Sequence, residues 1–138
     1  MGDSSSIGIT IFKDDVREFR SILKDYEREL PTGYYDRHFD DSGNTVVTVD
    51  QANCGWNQEL LAAAEAKLRF FGWDNGCVGA WAESEFCAID GKIYYAITPC
   101  EFGPVVRLHR DGKVDEADVK STMEFYHALD RVKKVMGL

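Results

Sequence analysis

The chain has 138 residues and 15.6 kDa, with 24 acidic and 16 basic side chains, a formal net charge of −8 and a pI near 4.8. A hydrophobic share of 44%, with 12% aromatic residues, excludes wholesale disorder, and the length is that of one ordinary domain with a core of its own. The acidic balance excludes nucleic acid and anionic membrane as the main partner, because both require positive surface.

Met1 to Ser6 is a polar Gly/Ser stretch expected to be a disordered leader, with residues 7–138 forming a single α+β domain. It carries no basic and apolar signal-peptide regions, and no apolar run reaches the 18 residues a membrane span needs. The expected location is therefore cytoplasmic, and Cys54, Cys77, Cys87 and Cys100 are expected to be reduced, with no zinc-type spacing among them.

Ile7 to Phe12 reads as a first strand, in which Gly8 marks a bulge. Asp14 and Asp15 open a helix whose apolar stripe is Val16, Phe19, Ile22, Leu23, Tyr26 and Leu30, stopped by Pro31 and Gly33. Tyr34 to Phe39 and Thr45 to Val49 flank a polar loop with Gly43 and read as a hairpin. Trp56 to Phe71 reads as a second helix capped by Gly72, followed by turns around Trp73 to Gly76. Cys77 to Ile89 and Lys92 to Ile97 flank Asp90-Gly91, a strong type I′ hairpin signal. Val105 to Arg110 is expected as a further strand, and Asp115 as the N-cap of the last helix.

The resulting order is β-α-β-β-α-β-β-β-α, an α+β chain with three helices on an antiparallel sheet. Its first six elements match a ferredoxin-like arrangement, followed by a C-terminal β-β-α extension. Fold order alone implies no function.

Charge is concentrated: residues 36–106 carry eleven acids and four bases, together with all three Trp and all four Cys. The hairpin lies in that block, and its two-residue turn makes paired positions sum to 181, so Phe86 faces Tyr95, Ser84 faces Ile97 and Ala88 faces Ile93. Val78, Ala80, Ala82 and Phe86 are expected on the core side. The other side carries Trp81, Glu83, Glu85 and Cys87, with Tyr94 across from Cys87. Trp81, Glu83, Glu85 and Tyr94 are the candidate binding residues, since aromatic anchors dominate protein interfaces. Glu83 and Glu85 also invite a glycosidase-like reading, but acid–base catalysis needs carboxylates in unequal environments, and nothing in the sequence separates these two.

A second candidate is Gln51-Ala52-Asn53-Cys54-Gly55-Trp56. A thiol ahead of a helix is favoured as thiolate, and a Gln upstream can donate to an oxyanion. Cys54 with His109 as base and Gln51 at the oxyanion would make a cysteine hydrolase, although the papain-type signature is absent and no orienting Asn or Asp is identifiable. Asp111 to Asp118 resembles half of a calcium loop, but Arg107 and His109 fall where oxygen ligands are needed, so no metal is expected there. Phosphate-loop glycine patterns are missing, and no cofactor is expected.

The favoured expectation is a non-enzymatic acidic interaction module, by analogy of size and charge with inhibitors and immunity-type proteins of phage and mobile elements. It would bind a basic partner protein, with electrostatic steering, and an exposed sheet edge would also suit a homodimer. The alternatives are the Cys54 hydrolase and a small-ligand domain with a pocket lined by Trp56, Trp73 or Trp81.

Overall fold

The computed structural model describes residues 3–30, 43–99 and 103–138. Strands β1 (Ser4–Ile11), β2 (Thr45–Asn53), β3 (Phe70–Asp74), β4 (Ser84–Ile89) and β5 (Lys92–Ile97) form one sheet in the order β2-β1-β3-β4-β5, every pair antiparallel. Three α-helices accompany them: α1 (Val16–Asp25), α2 (Asn57–Glu65) and α3 (Glu116–Met136). The chain is thus α+β, as expected. Strand β1 lies between β2 and β3, and β4 and β5 extend the sheet on the β3 side. The strand expected at Tyr34 to Phe39 lies outside the described residues.

Alternation along β1 decides which face is buried first. Ile7, Ile9 and Ile11 point to one side and are fully buried with Phe19 and Leu23 of α1, Leu60 and Ala64 of α2, and Phe70, Phe86 and Ala88. Phe70 centres this core, meeting Phe19 edge-on at 5.6 Å between ring centroids and Phe86 at 6.2 Å. The opposite face is covered by α3 only over β4, β5 and the start of β3. There Phe125, Ala128, Val132 and Met136 bury Phe12, Cys87, Ile89 and Ala96.

Polar groups at the joints are paired. Asp15, buried, accepts from Arg69 at its backbone N–H (2.8 Å), Nε (3.0 Å) and Nη2 (3.1 Å), tying the start of α1 to β3. Asp15→Ala is expected to cost about 2–3 kcal/mol in a denaturant titration, because it removes a two-pronged pair and a backbone acceptor together. Asn44, also buried, accepts from Lys13 N–H (3.1 Å) and donates to the Met136 carbonyl (3.1 Å), fastening the end of α3 to the end of β1.

Asp115 caps α3 as expected, accepting from the Asp118 N–H at 2.9 Å. That backbone donor holds the Asp115 carboxyl below its usual value, and the Arg107 guanidinium does the same for Asp118. Depressed carboxylates stabilise the fold at neutral pH and stop doing so as pH falls through their folded values. The first turn of α3 is therefore expected to loosen in acid, read as faster amide exchange at Asp118 and Val119.

Four sequence expectations are corrected. Strand β1 begins at Ser4, where Ser4 pairs with Asn53 and Ser5 with Ala52, so the end of the expected leader is sheet. The first helix ends at Asp25 and the second at Glu65, well before their expected stops. Each is closed by a non-glycine residue with positive φ, Glu27 and Lys67, whose N–H turns back to Lys24 and Ala64. Gly72, expected as a cap, lies inside β3. Val105 to Arg110 is not a strand; only Leu108 forms a bridge, to Val114.

Candidate functional site

β3 is the element the sequence concealed, and it positions the candidate site. Thr48, Gly8, Trp73 and Glu85 stand side by side in register across β2, β1, β3 and β4. All four belong to the face that α3 leaves uncovered among the described residues. The Trp73 indole packs against Gly8, so that a Cβ at Gly8 would clash with its Nε1, Cε2 and Cζ2. Glycine is needed there for close approach, not for its backbone freedom. Trp73 nevertheless keeps 44% of its surface exposed.

Two hollows meet at this pair. One, of 210 Å³, is floored by Gly8, Thr10 and Thr48 and walled by Phe71, Trp73 and Glu85. The other, of 510 Å³, runs from Trp73 and Glu85 past Glu83 to Thr98 and Pro99. Glu85 has neither a hydrogen-bond nor an ion-pair partner among the described residues. An aromatic plate thus sits between a small trough of mixed polarity and two carboxylates, an arrangement able to take an aliphatic stem on the ring and a cationic head on the acids.

The hairpin register matches the expectation over its whole paired length: Ser84 with Ile97, Phe86 with Tyr95, Cys87 with Tyr94 and Ala88 with Ile93. Before Ser84 the expectation fails. Gly76 and Gly79 have positive φ, and Cys77 to Trp81 close a tight turn instead of extending the strand. Val78, Ala80 and Ala82, expected in the core, are exposed, and Val78 is wholly so. Trp81 does not join the open face. Its Nε1–H donates to both oxygens of buried Asp74 (3.2 and 3.1 Å), which also accepts from Gly76 N–H at 2.8 Å. Tyr94 sits beneath α3, with Lys92 over its ring at 4.9 Å. Of the four expected binding residues, Glu83 and Glu85 share a surface, and Trp73 takes the place of Trp81.

The Cys54 region is unusual in another way. Cys54, Gly55 and Trp56 all have positive φ, so the residues ahead of α2 form a left-handed turn. Gln51, also at positive φ, sits where the β1–β2 register slips. Cys54 is exposed and its sulfur approaches only Asn53 Oδ1, at 3.9 Å. His109 precedes α3, its Nε2 3.1 Å from Asp115 Oδ2. No described contact joins Cys54 to an imidazole. Trp56 borders a separate hollow of 620 Å³ with Arg28, Gln51 and Asn53, so Trp56 and Trp73 do not share a pocket. Among the described residues, no group of three or more His, Cys, Asp or Glu could hold a metal ion, and no helix is long and apolar enough to cross a membrane.

No family model, curated protein or solved structure matches this chain significantly.

The thiols give a direct check of this geometry. Burial between β4 and α3 pushes the Cys87 thiol up to about 12, whereas Cys54 is exposed. Alkylation of the native protein is expected to modify Cys54 first and Cys87 only on unfolding, followed by peptide mass mapping.

Proposed function

We propose that the protein is a non-enzymatic interaction module that binds a basic partner protein through the Trp73–Glu85–Glu83 surface. The observation that carries this reading is the row Gly8–Trp73–Glu85, uncovered among the described residues, where a half-exposed indole lies beside a carboxylate with no described side-chain partner in the most acidic part of the chain. An exposed aromatic plate with an acidic border suits a Lys- or Arg-bearing surface, and the net charge of −8 adds long-range steering toward it. An inhibitor or immunity-type role follows if the basic surface is a nuclease or nucleic-acid cleft. The Cys54 hydrolase gains no support, because His109 is engaged with Asp115 and no base stands by the thiol among the described residues.

The test uses lysine- and arginine-rich peptides as probes, with tryptophan fluorescence across a salt series. Binding is expected to weaken steadily with salt, and Glu85→Lys to weaken it at least about tenfold at low salt. Affinity indifferent to both salt and Glu85→Lys would rule the surface out.

A further inference from the structure

Strand β5 is the outer strand of the sheet, and no described strand pairs with its far side. Thr98 N–H donates to the Glu83 carbonyl (3.1 Å), which sets the alternation along the pair. The backbone groups of Thr98, Ala96, Tyr94 and Lys92 face β4, and those of Ile97, Tyr95 and Ile93 face outward. The Ile97 carbonyl accepts from Val105 N–H at 3.0 Å. The outward N–H and C=O of Ile93 and Tyr95 find no backbone partner among the described residues.

Apolar surface gathers at the same place. Fourteen large apolar residues stand exposed among those described, and eight of them fall between Tyr95 and Met123. Tyr95, Ile97, Val105 and Val106 line one hollow of 450 Å³ beside the β5 edge. Leu108 and Val114 are bridged to each other, and Val114 and Val119 flank the N-cap of α3 at staple positions. Scattered exposed apolar side chains need no explanation, but four lining one hollow beside a strand edge do.

Charge identifies the occupant. Residues 103–123 carry four acids and four bases, and β5 carries only Lys92. This is a neutral zone on a chain of net charge −8. A basic partner is drawn to the acidic surface around Glu85, while two acidic copies repel each other everywhere except at a neutral contact.

We propose that the β5 edge and the apolar residues beside it form an interface with a second copy of this chain. A two-fold axis at Tyr94 sets Ile93 opposite the partner's Tyr95 and Tyr95 opposite the partner's Ile93. All four open N–H and C=O pairs are then satisfied at once, with no like charges opposed. The contact is distinct from the acidic surface, and its response to salt is opposite.

Sedimentation analysis from low micromolar to submillimolar concentration, in high salt, tests it. The wild type is expected to dimerise, and the pair Ile97→Lys with Val105→Lys to weaken the dimer at least about tenfold. Both side chains are about half-exposed in the monomer, so an unchanged unfolding midpoint is expected to show that the variant still folds. Amide exchange at Ile93 and Tyr95 should slow as concentration rises. A wild type that stays monomeric at the highest concentration overturns the proposal, as does a dimer indifferent to the paired variant or lacking protection at those two amides.

Discussion

Gly72→Ala is expected to destabilise the protein by about 3–4 kcal/mol, whereas Gly8→Ala, one strand away, should leave it folded and displace Trp73. Neither glycine has positive φ, so the difference is purely one of what the added carbon meets. At Gly72 it lands on the carbonyl oxygen of Gly8, and 2.8 Å from Phe86 Cζ. That oxygen belongs to β1, an interior strand paired on both sides, and Phe86 is fully buried. Nothing near Gly72 yields without breaking ladder bonds or the aromatic core. At Gly8 the nearest atoms the carbon meets all belong to the Trp73 indole, a half-exposed side chain able to swing away, so the cost is about 1 kcal/mol. Denaturant titration of the two variants, with tryptophan fluorescence, distinguishes them. Gly8→Ala should also weaken the basic probe peptides, since the ring leaves the row it shares with Glu85. Equal stability losses at the two positions would contradict the close approach of β1 and β3.

The hairpin was legible because one local rule set it: Asp90 and Gly91 both adopt the positive φ of a type I′ turn, and the register follows by counting. The α3 cap was legible for the same reason, since Asp115 and Asp118 act within one turn. The ends of α1 and α2 were not. Their closing residues are Glu27 and Lys67, and a sequence reader looks for glycine there. Losing the end of α2 concealed β3, and with it Trp73, which looked like part of a turn. One signal was available: a lone Gly8 in a β-branched strand, which marks a close approach as readily as a bulge. Glu83 and Glu85 were singled out from alternation along the hairpin and from charge density, but the aromatic beside them depends on which half of the sheet α3 covers. That is a long-range choice, which local pattern does not encode.

The docking of α3 makes the second large effect calculable. Phe125 is fully buried against β4 and β5, its ring 5.5 Å from that of Tyr126 and its carbonyl 3.8 Å from the Cys87 sulfur. Truncation to alanine removes most of the apolar filling between helix and sheet, and Phe125→Ala is expected to cost about 3–4 kcal/mol. Strand β4 serves both cores, with Phe86 and Ala88 toward α1 and α2, and Cys87 and Ile89 toward α3. The loss should therefore lower one cooperative transition and not split it in two. Cys87 reports the same event chemically. Its thiol, held up at about 12 by burial, returns to its ordinary value of about 9 once the helix lifts, so the thiolate fraction at neutral pH rises about a thousandfold in the opened state. Alkylation of Cys87 in Phe125→Ala should accelerate in proportion to the stability lost, while that of exposed Cys54 stays unchanged. A Cys87 rate unaffected by Phe125→Ala would mean that α3 does not seal that face of the sheet.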